Sequence, residues 1–232
     1  MNELALFAGA GGGILASVLL GWRTVCAVEI DPYCRDILVS RQNDGSVPPF
    51  PIWDDVCTFD GRPWQGAVDV VSGGFPCQAF STASRGRKTA RDMWPEMRRV
   101  ILEVEPTLVF AENVAKEPID RAADDLEEMG YSTRCVALSA RDVGADHFRL
   151  RYWLLGNAHD KDELERKKHG EVAKLPIIDG NPWQAEPVGR GVPDGLAAGV
   201  DLFRALGNGQ VPVVAARAFR VLMEYFQTDK ED

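Results

Sequence analysis

The 232 residues hold 45% hydrophobic and 26% charged side chains, which suits a globular enzyme with one sizeable core and little room for more than a small appendage. No basic leader follows Met1, and no apolar run nears the ~18 residues of a membrane span, so a cytoplasmic protein with no membrane partner is expected. The net charge of −9 weighs against a nucleic-acid partner, because affinity for phosphates comes from Lys and Arg.

In chain order, strands are expected at 4–8, 24–29, 52–56, 68–72 and 107–111, with helices at 12–20, 32–41, 91–103 and 118–129 between or after them. This alternation is the signature of βαβ units and a mostly parallel sheet, an α/β fold. Two further strands, at 132–138 and 150–156, have only a loop between them. Parallel neighbours need a crossover of about a dozen residues, so this last pair is expected to be antiparallel. From 157 to 199 Lys, Glu, Gly and Pro dominate and periodicity is poor, before an apolar-periodic helix at 213–226. The expected division is a catalytic and cofactor-binding domain at 1–156, a reduced recognition segment at 157–199, and a C-terminal segment at 200–232 that packs back on the first part.

Charge is unevenly spread. Asp124, Asp125, Glu127 and Glu128 share one predicted helix, whereas Arg85, Arg87, Lys88 and Arg91 cluster, as do Arg149 with Arg151 and Arg166 with Lys167 and Lys168. An acidic back and a basic working face would reconcile a negative chain with a phosphate-rich partner. The five cysteines are scattered without a C-x-x-C pair, and are read as reduced thiols. Three histidines, widely spaced, make no evident zinc site, so no metal is expected.

Three motifs carry chemistry. Leu6-Phe7-Ala8-Gly9-Ala10-Gly11-Gly12-Gly13 is a glycine-rich turn between the first strand and the first helix, where backbone can approach a cofactor closely. Glu29, roughly 20 residues on at the end of the second strand, can accept both ribose hydroxyls of a nucleoside. Asp55, expected at the end of the third strand, can take an adenine amino group. Alone, this set suits NAD as well as S-adenosylmethionine, or a tight turn with no ligand. Second, Gly73-Gly74-Phe75-Pro76-Cys77-Gln78-Ala79-Phe80-Ser81 places a cysteine just past a central strand, with Arg85, Arg87 and Lys88 near enough in sequence to favour its thiolate. A cysteine there is, taken alone, more often a small buried hydrophobe. Third, Ala111-Glu112-Asn113-Val114 ends the next strand in a carboxylate, which taken alone is more often a cap or a surface charge.

In combination these motifs resemble the cytosine-5 DNA methyltransferase family, of a small phage-like or prokaryotic type. The order F-x-G-x-G-G, E-x-D, D-V, G-G-F-P-C-Q-x-F-S, E-N-V, R-x-R and G-N runs from about Leu4 to Tyr225, with only 157–199 unmatched. The resemblance implies a Rossmann-like S-adenosylmethionine-dependent sheet and a flipped cytosine in double-stranded DNA as substrate. It puts Phe7, Gly9, Gly11, Gly12, Glu29, Ile30, Asp55, Val56, Phe75, Pro76 and Asn208 around S-adenosylmethionine. Cys77 would attack carbon 6 of the base, Glu112 would hydrogen-bond ring N3, and Arg149 and Arg151 would hold the base oxygen and the active-site loop. Gln78, Ser81, Arg85, Arg87 and Lys88, in the loop expected to close over the base, would contact DNA, with Arg166, Lys167, Lys168 and Arg190 of the recognition segment. A monomer in solution is expected.

The chain departs from the family pattern at Ala5, where an acidic residue is common, at His147, which replaces the Gln of Q-x-R-x-R, and in the shortness of 157–199. Three rivals stand beside the main reading. A tRNA cytosine-5 methyltransferase shares these motifs. An NAD-dependent oxidoreductase has no use for Cys77 and Glu112, and a DNA-binding relic should have lost them. An amino-directed methyltransferase would need Asp or Asn before Pro-Pro, and Val47 precedes Pro48-Pro49 here.

Overall fold

The computed structural model describes residues 1–77, 92–158 and 209–228. Within them, β1 (Asn2–Leu6), α1 (Gly12–Leu19), β2 (Arg23–Val28), α2 (Pro32–Asn43), β3 (Ile52–Trp53), β4 (Val70–Gly74), α3 (Trp94–Val104), β5 (Leu108–Asn113), α4 (Lys116–Glu128), β6 (Ser132–Leu138), β7 (Arg151–Asn157) and α5 (Pro212–Thr228) follow in order. The strands form a seven-stranded sheet ordered β3-β2-β1-β4-β5-β7-β6. The first five strands in that order pair in parallel, and β7 runs antiparallel to both β5 and β6. The α/β class and the antiparallel last pair are as the sequence indicates.

Strand alternation sorts the core into two faces. Along β5, Val109 and Ala111 join Leu4, Leu6, Val71 and Leu154 under α3 and α4, while Leu108 and Phe110 face the other way with Trp153, Leu155 and the α5 residues Ala215, Phe219 and Leu222. All six residues of β5 are buried. A strand covered on both faces reads as a continuous apolar run, and against that background Glu112 and Asn113 stand out.

Element ends follow local chemistry. β1 stops at Leu6 rather than 8 because Phe7 takes a left-handed φ of 52°. β3 is two residues long, not five, and Asp55 does not end it. Instead the Asp55 carboxylate accepts the Cys57 N–H at 2.9 Å and caps a 3₁₀ turn at Val56–Thr58. In α3 and α5, Pro95 and Pro212 occupy the first turn, where a missing N–H costs nothing.

A buried carboxylate that sequence reading passed over lies at the other end of β1. Glu3, 1% exposed, accepts hydrogen bonds from Ser17, Thr24 and Ser72 at 2.6–2.7 Å. It ties α1, β2 and β4 to β1 two residues before Ala5. Burial lifts its carboxyl above the usual range, against the opposing pull of the three hydroxyls.

Candidate active site

Parallel strands all end at one edge of the sheet, and the site residues gather there because of it. Leu6, Val28, Gly74 and Asn113 close β1, β2, β4 and β5. The antiparallel strand β7 begins at the same edge, with Tyr152 opposite Asn113 and Trp153 opposite Glu112. The reversal therefore delivers Arg149 and Arg151 to the end of β5.

The glycine turn occupies one side of this edge. Gly9 and Gly11 have φ of 54° and 85°, and Gly11 caps α1. The Gly9 N–H donates to Glu29 Oε2 at 2.6 Å, and the Asp31 N–H donates to Oε1 at 2.8 Å. Glu29 directly follows β2, is 8% exposed, and has a carboxyl raised by burial and drawn back down by those two backbone donors. Ile30 beside it is 69% exposed, an unusual display for a large apolar side chain. Gly12 leaves no room for a side chain, since a Cβ would lie 2.2 Å from the Gln210 carbonyl oxygen. Val56 is buried, and its carbonyl accepts from Arg99 at 2.6 Å while the Phe59 carbonyl accepts from the same guanidinium at 3.0 Å. Arg99, on α3, thus fixes the turn that carries Asp55.

The loop after β4 occupies the centre. Phe75 is buried against Trp94, ring centroids 5.1 Å apart. Asn113 donates its side-chain amide to the Phe75 carbonyl at 2.9 Å, and the Met93 N–H donates to the Pro76 carbonyl at 3.0 Å. These two bonds hold the backbone leading into Cys77, which is 6% exposed at the margin of the core. Pro76 is exposed.

Glu112 is 6% exposed, and burial raises its carboxyl, opposed first by Arg151, then by the Gln210 amide and Arg149. Arg151 Nε stands 3.0 Å from Oε1 as an ion pair. Gln210 Nε2 donates to Oε2 at 3.5 Å. Arg149 donates to the Gly209 carbonyl at 2.6 Å, and its guanidinium is drawn down by burial and then by Arg151. His147 and its neighbour Phe148 are exposed.

The edge thus brings together Phe7, Gly9, Gly11, Gly12, Glu29, Ile30, Phe75, Pro76, Cys77, Glu112, Arg149 and Arg151, with Asp55 and Val56 in the turn just past β3. Asn208 and the expected DNA contacts Gln78, Ser81, Arg85, Arg87, Lys88, Arg166, Lys167, Lys168 and Arg190 lie outside the described residues. Sequence reading missed Asn113 as a brace, Arg99 and Gln210. Of these only Asn113 had a signal, as a polar residue closing an apolar strand.

The family model for the C-5 cytosine-specific DNA methylase matches residues 1–181. This chain belongs to that family. Among curated relatives, the type II methyltransferase M.NgoMIV of Neisseria gonorrhoeae is 31% identical over 201 residues, 79% of this chain and 62% of that protein. M.AquIA of Picosynechococcus is 31% identical over 205 residues, 76% of this chain and 80% of that one. Of the solved structures, a DNA modification methyltransferase assigned to an Escherichia coli prophage matches with a TM-score of 0.53 at 26% identity, over 68% of this chain and 46% of that one. The chain spans 62% of M.NgoMIV and 47% of M1.HphI. Among the described residues, no helix is long and apolar enough to cross a membrane.

Proposed function

We propose that this methylase transfers a methyl group from S-adenosylmethionine to carbon 5 of a cytosine flipped out of double-stranded DNA, through a covalent bond to Cys77. The observation that carries this is the buried Glu112 carboxyl, held by Arg151 and Gln210 on a strand whose next residue braces the Cys77 loop. Burial favours the protonated carboxyl, whose O–H can donate to ring N3 of cytosine.

The cofactor pocket fits by its chemistry. Gly9, Gly11 and Gly12 bring backbone close, Glu29 is oriented by two N–H groups yet keeps lone pairs for ribose hydroxyls, and exposed Ile30 offers an apolar surface for the purine. Asp55, Val56, Phe75, Pro76 and Asn208 complete the proposed surround. When bound, S-adenosylmethionine supplies an electrophilic methyl on sulfur.

The chain's residues do the rest. The Cys77 thiolate adds to carbon 6, and the displaced electron pair reaches carbon 5 and the N3 side of the ring. The Glu112 proton at N3 offsets the charge that builds there, and burial, which raises the carboxyl, favours the protonated form that supplies it. Once carbon 5 is methylated, its hydrogen leaves as a proton, the electron pair re-forms the ring double bond, and Cys77 leaves as thiolate. Arg151 at Glu112 and Arg149 beside it take the base oxygen and the closing loop. We assign DNA reading to residues 78–91 and 157–199, and the helix α5, packed on α1 and the sheet, to the catalytic body. That the matching family is a DNA methylase family, and that the prophage neighbour is described as a DNA modification methyltransferase, favours DNA over tRNA.

Incubating the protein with labelled cofactor and either unmodified duplex DNA or tRNA tests this. Label at carbon 5 of cytosine in DNA is the expected outcome. Uptake by tRNA alone would replace the substrate, and uptake by neither would refute methyl transfer to these nucleic acids.

A further inference from the structure

Gln210 enters the site from the far end of the chain, 98 residues beyond Glu112. Its backbone is seated by neighbours on both sides. Arg149 holds the preceding Gly209 carbonyl at 2.6 Å, and the following Val211 carbonyl accepts from Ala215 at 3.0 Å as α5 begins. Its side chain lies in a slot that two glycines keep open, and a third makes room for its backbone. A Cβ on Gly13 would fall 2.6 Å from Gln210 Oε1, and one on Gly74 would fall 3.2 Å from Nε2 and 2.7 Å from Glu112 Oε2. The backbone at Gly12 meets the Gln210 carbonyl. The amide thus spans from the first turn of α1 to the ends of β4 and β5.

Resting on the methyl-transfer reading above, we propose that Gln210 is a positioning residue for Glu112: its amide engages Oε2 while Arg151 holds Oε1, and the two together fix the carboxyl's orientation toward the base. Oε1 already has the Arg151 guanidinium 3.0 Å away, so Gln210 at Oε2 completes a two-sided hold that fixes how the carboxyl meets ring N3. Because Gln210 also rests on the glycine turn, the same side chain couples the proposed cofactor pocket to the orientation of the proton donor.

The effects separate from a general loosening of the fold. Among the described residues, the charged groups facing Glu112 are Arg151 and Arg149, and both remain when Gln210 is changed. An amide N–H favours the carboxylate over the acid, so its loss moves the Glu112 titration upward. Loosening would admit water and move it downward.

Gln210→Met keeps length and removes the donor. It should lower kcat up to about tenfold, the effect of one lost hydrogen bond, with KM nearly unchanged. The alkaline limb of the kcat profile should shift to higher pH. Gly13→Ala, which displaces the same amide, should give the same pair of changes, and the double variant should be no worse than the worse single one. Independently of activity, the carboxyl ¹³C titration assigned to Glu112 through Glu112→Gln should move up in Gln210→Met. An unmoved or lowered Glu112 titration overturns the proposal whether or not the enzyme is active. So does wild-type kcat in Gln210→Met. Inactive wild type with the upward shift intact would refute methyl transfer and leave the positioning of Glu112 standing.

Discussion

Asn113 and Phe75 are joined by a 2.9 Å hydrogen bond from a side-chain amide to a buried carbonyl. The same Asn113 accepts the Ala115 N–H at 3.1 Å, so one residue both braces the Cys77 loop and turns the chain into α4. Glu112, its neighbour on β5, is thereby set in a fixed relation to that loop. Asn113→Ala should cost about 1–3 kcal/mol in denaturant unfolding, because the Phe75 carbonyl is left buried and unpaired. Methyl transfer should fall by more than that loss explains, since the loop itself is displaced.

Glu112→Gln should cut kcat strongly and leave KM for DNA nearly unchanged. An amide can meet N3 with an N–H but has no proton to share as charge develops, so the loss is confined to the transition state. Steady-state kinetics that showed only a rise in KM would make Glu112 a binding residue.

Arg99 should matter to the cofactor and not to the base. It holds the Val56 and Phe59 carbonyls across 43 and 40 residues of sequence, and with them the turn bearing Asp55. Arg99→Met should raise KM for S-adenosylmethionine several-fold, roughly the effect of one or two net hydrogen bonds, with kcat near wild type. Cofactor titration by calorimetry, showing unchanged affinity, would contradict this.

Glu3 gives the fold a pH signature. Its carboxyl is raised in the folded state, so the protonated form is favoured there. The associated stability is fully present below the ordinary carboxyl range and is lost as pH rises through the raised folded value. Urea unfolding followed upward in pH from the ordinary carboxyl range should therefore show a decline that Glu3→Gln flattens. An identical slope in the two proteins would mean that the three hydroxyls stabilise the charge fully.

The antiparallel β6–β7 pair was legible in the sequence because 138 and 150 are too close for a crossover. Cys77 and Glu112 were legible because Phe-Pro-Cys-Gln and Glu-Asn-Val follow apolar strands at the expected interval. The end of β3 was not legible. Asp55 looks like a strand terminus from its apolar neighbours, and only its cap to Cys57 shows the chain turning earlier. Arg99 and Gln210 act on residues 40 or more positions away, through backbone carbonyls or a single amide. No local pattern encodes such contacts, and Arg99 in particular reads as one more charge on an amphipathic helix. Glu3 was hidden by its position, an acidic residue at the start of a strand, where solvent exposure is the ordinary expectation.

The central claim is the covalent bond between Cys77 and carbon 6 of cytosine. Its most direct test is to mix the protein and S-adenosylmethionine with duplex DNA carrying 5-fluorocytosine, and to look for an adduct that survives denaturation. Fluorine cannot leave as a proton, so the wild type should remain joined to DNA, with the bond mapped to Cys77 by mass spectrometry. Cys77→Ala should give no adduct and no methyl transfer while still binding S-adenosylmethionine. Full methyl transfer by Cys77→Ala, or an adduct on another residue, would contradict the mechanism.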